Sequence, residues 1–140
     1  MPETEPTPVI QFYGRNGETD YEGEFYLTPG LHDFAYNSMP NDVAYSFQVQ
    51  RPQPGYTITI YNNGKGSEDE SWASYKLTGP FPTDPNPFLM DSTPLLKVDA
   101  AYGVPIGAEI APGVRANGHR DSSQLAGKVS SVRVTKDATS

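Results

Sequence analysis

The sequence predicts an all-β protein, a sandwich or barrel, from three observations. Prolines and glycines fall too close together for helices, short stretches alternate apolar with polar residues, and asparagine-glycine pairs separate several of those stretches. With 14 prolines and 13 glycines in 140 residues, no window keeps an apolar i, i+3, i+4 rhythm long enough for a good helix. Residues 57–61, Thr-Ile-Thr-Ile-Tyr, place Ile58 and Ile60 on one face. Val43, Tyr45, Phe47 and Val49 alternate with Ala44, Ser46 and Gln48, so each stretch reads as a half-buried strand. Residues 9–13, 23–27, 71–77, 95–99 and 129–134 are further strands, and seven or more short strands require a sandwich or barrel. Asn16-Gly17, Asn63-Gly64 and Asn117-Gly118 supply the positive φ that tight hairpins demand.

The chain divides into an acidic, proline-rich tail over 1–8, a single domain over 9–135 and a polar tail over 136–140. Within the domain, one motif spans about 9–50 and a second about 56–134. Residues 79–94 hold five prolines and read as an extended loop, because proline cannot sit in a central strand or a helix interior. Phe81, Phe88, Leu89 and Met90 are expected to tether that loop to one end of the core, and a protein partner docking on 79–94 is the alternative reading. A chain of roughly 150 residues buries about 68–70% of its unfolded surface, so a single core suffices without disulfides or metals.

Composition removes several function classes. There is no cysteine, hence no disulfide framework, zinc thiolate or cysteine nucleophile. The first eight residues have neither a basic flank nor an apolar run, which argues against a signal peptide or membrane anchor, and no Asn-x-Ser/Thr acceptor occurs. A cytoplasmic setting is expected. The formal charge of −7 and the scattered Lys and Arg argue against nucleic acid as a partner.

The halves repeat weakly. The first runs through a strand ending in Tyr13, a turn, Tyr21-Glu22-Gly23, then Pro29-Gly30-Leu31-His32-Asp33-Phe34, then Asn41-Asp42-Val43-Ala44-Tyr45-Ser46 and a closing strand. The second runs through a strand ending in Tyr61, a turn, Trp72-Ala73-Ser74, and later Gly127-Lys128-Val129-Ser130-Ser131 with its own closing strand. This order resembles the Greek-key motif of the βγ-crystallin superfamily, particularly its microbial and fungal members. In that motif an aromatic, a folded hairpin and an aromatic-x-Gly precede Asn/Asp-Asn/Asp-x-x-Ser/Thr-Ser. Tyr13, Tyr21, Gly23, Tyr61 and Trp72 carry the resemblance, with longer hairpins than the family usually has and Ser74 in place of the second glycine. The resemblance implies a Greek-key β-sandwich of two such motifs. Ser46 and Ser131 match the serine that ties down the folded hairpin.

In members of the family that bind calcium, the Asn/Asp-rich loop and its fifth-position hydroxyl ligate the ion, and each site draws on both motifs. Calcium takes six to eight oxygens, so each loss matters. Asn41 and Asp42 keep the first positions, but Tyr45 replaces the hydroxyl ligand. Ser130 and Ser131 survive in the second loop, where Ala126 and Gly127 supply no side-chain oxygen. Both loops therefore read as degenerate, with weak or no calcium binding and no other cofactor.

The sequence offers little chemistry of its own. His32 and His119 are the two histidines, and His32 reads as a turn residue beside Asp33. His119-Arg120-Asp121 imitates a kinase triplet without the motifs that would accompany it. Glu68-Asp69-Glu70 reads as a solvated loop, and Trp72 with the tyrosines reads as core rather than a sugar platform. The expectation is a monomeric, non-enzymatic structural, storage or stress-associated protein without a small-molecule substrate. A binding module of protease-inhibitor or toxin type is the alternative.

Overall fold

The computed structural model describes residues 7–15, 20–34, 44–62, 71–78, 93, 95–111, 113–120, 125 and 127–136. Ten strands and no helix occur among them. In chain order they are β1 (Val9–Tyr13), β2 (Tyr21–Tyr26), β3 (Gly30–Asp33), β4 (Ser46–Gln50), β5 (Tyr56–Tyr61), β6 (Trp72–Leu77), β7 (Leu96–Lys97), β8 (Glu109–Ala111), β9 (Val114–Arg120) and β10 (Ser131–Lys136).

Two antiparallel sheets form, one in the order β2-β1-β4-β7 and one in the order β3-β10-β5-β6-β9-β8. The strands β1–β4 and the strands β5, β6, β7 and β10 form two sets of four, each keeping three strands in one sheet with the last pairing beside the first as a Greek key requires. The remaining strand, third in each set, crosses to the other sheet: β3 pairs with β10 and β7 pairs with β4. The two halves are thereby interlocked. The β8–β9 hairpin is an insertion that extends the larger sheet beyond β6.

Alternation builds the core. Ile10, Phe12, Phe47 and Val49 face inward from the smaller sheet and meet Ile58, Ile60, Tyr75, Val132 and Val134 from the larger one, all essentially without solvent contact. Each such side chain contributes about 1.5–3 kcal/mol on burial. Phe47 contacts Tyr75 between the sheets at 5.0 Å between ring centroids, and Phe12 meets Phe34 edge-on at 5.2 Å. The alternation expected through Val43 and Tyr45 does not extend past β4: Ala44 is buried while Tyr45 is only half-buried.

Three further assignments differ from the sequence reading. His32 lies in strand β3 rather than in a turn. Strands β8 and β9 lie where no strand was expected, and the inward positions of β9 are Val114, Ala116 and Gly118. Such small residues give almost no hydrophobic signal. Asn117-Gly118 is not a hairpin turn but a β-bulge within β9, where Ser74 faces Gly118 and Tyr75 faces Ala116. A bulge uses glycine for the reason a hairpin does, here at φ 131°. Asn16-Gly17, Asn63-Gly64 and Glu68-Asp69-Glu70 lie outside the described residues. So does the proline-rich loop apart from Thr93, whose N–H and hydroxyl bond the Val49 backbone at 2.9 and 3.0 Å.

Candidate functional site

The residues singled out by the repeat occupy matching places. Tyr13 lies opposite Tyr21 on one side and Ser46 on the other. Tyr61 lies opposite Trp72 and Ser131 in the same way. The backbone repeats the match: Tyr45 N–H donates to the Tyr13 carbonyl at 2.8 Å, and Ser130 N–H donates to the Tyr61 carbonyl at 3.0 Å. The crossing strands close the pattern, with Val98 N–H on the Tyr45 carbonyl and Phe34 N–H on the Ser130 carbonyl, each at 3.0 Å. Tyr45 and Ser130 are therefore structural equivalents, as are Ser46 and Ser131.

The glycine that the two halves do not share has a local cause. In β1–β2 the register shifts, so that Tyr13 faces Tyr21 and Phe12 faces Gly23, and Gly23 takes φ 151°. In β5–β6 the register is regular, so Ser74 needs no special backbone. Its hydroxyl pairs with Thr59 Oγ1 at 2.9 Å and accepts from Asn117 Nδ2 at 3.1 Å. Strand β2 is a sheet edge, whereas β6 is covered by β9, and the serine joins the strands on either side of it.

The first hairpin closes through Gly14 N–H on the Asp20 carbonyl at 2.8 Å, and a Cβ on Gly14 would collide with the carboxylates of Asp20 and Glu22. The Tyr13 and Tyr21 rings meet edge-on at 5.8 Å. Partial desolvation, then the hydrogen bond and repulsion from Asp20, raise the Glu22 carboxyl above its ordinary range. Glu24 moves the other way, held down first by the Gln11 amide and then by the Tyr21 hydroxyl. A raised carboxyl favours folding at low pH, and its cost is present once the pH exceeds the folded value. Glu22→Gln is therefore expected to raise the melting temperature at pH 7 by up to about 2 °C. The gain should vanish when melting is followed down through the carboxylate range, and a gain constant from pH 3 to 8 would contradict this assignment.

The two loops that read as degenerate in the sequence meet each other. Gly127 N–H donates to the Ala44 carbonyl at 2.8 Å, and the space beside its α-carbon is filled by the Tyr45 ring. The Tyr45 hydroxyl accepts from the Arg15 guanidinium at 3.0 Å, and the same cation lies 5.4 Å from the ring centroid. What contacts the fifth-position side chain of the first loop is thus a positive charge and the backbone of the second loop. Ser131 is fully buried in β10, and Ser130 is half-buried. Asn41, Asp42 and Ala126 lie outside the described residues. Among the described residues no group of three or more His, Asp or Glu side chains is placed to hold a metal.

Beside Tyr45 opens a cleft of about 320 Å³ lined by Arg15, Tyr45, Ser46, Lys97 and Asp99. The sequence reading missed Arg15, Lys97 and Asp99, because they come from two distant segments that only the exchange of β7 brings together. A second cleft of about 320 Å³ lies along the β2 and β3 edges, lined by Val9, Glu24, Phe25, Tyr26, Thr28 and His32. There His32 stacks on Phe25 at 4.5 Å and its Nε2 lies 2.7 Å from the Thr28 carbonyl. A carbonyl can only accept, so Nε2 carries the proton. His119 Nε2 accepts from Gly103 N–H at 3.2 Å. Contrary to the core reading, Trp72 is only half-buried, over Gly118, and Tyr21 and Tyr26 are exposed on the edge strand β2.

Among the described residues no helix is long and apolar enough to cross a membrane. No protein-family model, curated protein or solved structure matches the chain.

Proposed function

We propose that this chain is a non-enzymatic structural, storage or stress-associated protein of βγ-crystallin type whose calcium loops have lost the metal or hold it weakly. The supporting observation is the meeting of the two loops. The residue that replaces the hydroxyl ligand, Tyr45, is packed against Gly127 of the other loop and hydrogen-bonded to Arg15. A guanidinium there repels a dication, and the phenol oxygen is already committed as an acceptor. The exchanged third strands and the matching registers of Tyr13, Tyr21 and Ser46 with Tyr61, Trp72 and Ser131 favour two motifs of one kind. A cysteine-free, acidic chain suits the reducing cytoplasm.

The test is thermal. Saturation of a calcium site at a hundredfold excess over its dissociation constant adds about 2.7 kcal/mol, or roughly 5–10 °C at this chain length. Melting in millimolar calcium against a chelator control is expected to differ by less than about 1 °C. A rise of 5 °C or more would refute the proposal.

A further inference from the structure

We propose that the cleft formed by Arg15, Tyr45, Ser46, Lys97 and Asp99 binds a small oxyanion, with inorganic phosphate as the simplest ligand of the class. The chain carries 17 Asp and Glu against 10 Lys and Arg, so cations facing one cleft without ion pairs stand out from the average surface. Among the described residues neither Arg15 nor Lys97 makes an ion pair. Arg15 is fixed by other means, its guanidinium bonded to the Tyr45 hydroxyl at 3.0 Å and lying over the ring. That bond uses one of five guanidinium donors, leaving the rest of a planar fork that matches a phosphate or carboxylate edge.

Ser46 and Lys97 add to this from the other side. They are direct cross-strand partners between β4 and β7, so both side chains project from the same face about 5 Å apart. The hydroxyl and the ammonium supply further donors. Asp99 opposes the anion from within the same lining, leaving a local charge of plus one from two cations and one carboxylate. This single excess charge sets the expected affinity on the order of millimolar.

The experiment is a phosphate titration of the whole chain at constant ionic strength, adjusted with KCl, followed by backbone amide NMR at Tyr45, Ser46 and Val98. Saturable shifts are expected, with a dissociation constant weakened about fivefold or more in Arg15→Ala and in Lys97→Ala. Asp99→Asn should tighten binding by a similar factor, because it removes the one carboxylate of the lining. Both cations are exposed, so the alanine variants should remain folded, Arg15→Ala giving up only its contacts with Tyr45. A parallel titration with phosphoserine supports the inference whichever binds tighter, and assigns the anion to a phosphomonoester if phosphoserine does. Shifts that stay linear, that KCl reproduces, or that persist unchanged in the two alanine variants would overturn it. Calcium melting is a separate readout, so failure of the calcium proposal leaves this test intact.

Discussion

Gly127→Ala is expected to lower stability by about 2–5 kcal/mol, the sum of two separable costs. Gly127 has φ +77°, where an L side chain is strained by about 1–2 kcal/mol. The added methyl would also stand 2.8 Å from both Cζ and the hydroxyl oxygen of Tyr45 and 3.1 Å from Cε1. Overpacking of that kind typically costs about 1–3 kcal/mol. The atoms met are the far end of the Tyr45 side chain, so the ring can yield only by moving off its hydrogen bond with Arg15. Urea unfolding of Gly127→Ala, Tyr45→Ala and the double variant separates the costs. The double variant should recover about 1 kcal/mol or more of the steric part while the backbone part remains. A loss below about 1 kcal/mol in the single variant, or strict additivity in the cycle, would mean that the two loops do not meet as described.

That contact shows where the sequence was legible. Strands such as β1 and β5 were readable because Ile10, Phe12, Ile58 and Ile60 fall on one face at period two. The hairpin pairs Tyr13–Tyr21 and Tyr61–Trp72 were readable because the aromatic residues are large and local. The residue types at Tyr45, Ala126 and Gly127 are plain in the sequence. That Tyr45 and Gly127 touch is not, since 82 positions separate them (127 minus 45) and no periodicity encodes a contact between loops. Strand β9 was hidden for a different reason. Of its inward residues Val114, Ala116 and Gly118, the last lies under the Trp72 ring, where a Cβ would be crowded. The anion cleft was illegible because Arg15, Ser46 and Lys97 are unremarkable surface residues until β7 pairs with β4.

Tyr75→Phe removes one oxygen and is expected to cost about 2–3 kcal/mol while leaving the ring in place. The Tyr75 ring packs on Phe47, a contact that phenylalanine keeps. Its hydroxyl donates to the Val98 carbonyl at 2.8 Å and accepts the Ala101 N–H at 3.1 Å, pinning the chain that follows β7 to the core. Without it, a buried N–H and a buried carbonyl lose their partner, and an orphaned buried group costs about 1–3 kcal/mol. The effect should reach the candidate site, because Val98 also donates to the Tyr45 carbonyl. Amide exchange at Val98 and Ala101 should accelerate more than exchange in β5. Alkaline pH supplies an independent check. Burial pushes the Tyr75 phenol well above its ordinary value, so between the unfolded value near 10 and the folded one only the unfolded chain ionises. The parent therefore loses stability as the pH rises past about 10, while Tyr75→Phe lacks that loss, and the gap between them should narrow. A gap that widens above pH 10, or a neutral-pH cost below about 0.5 kcal/mol, would show that the hydroxyl is not the buried tie between the sheets that its hydrogen bonds describe.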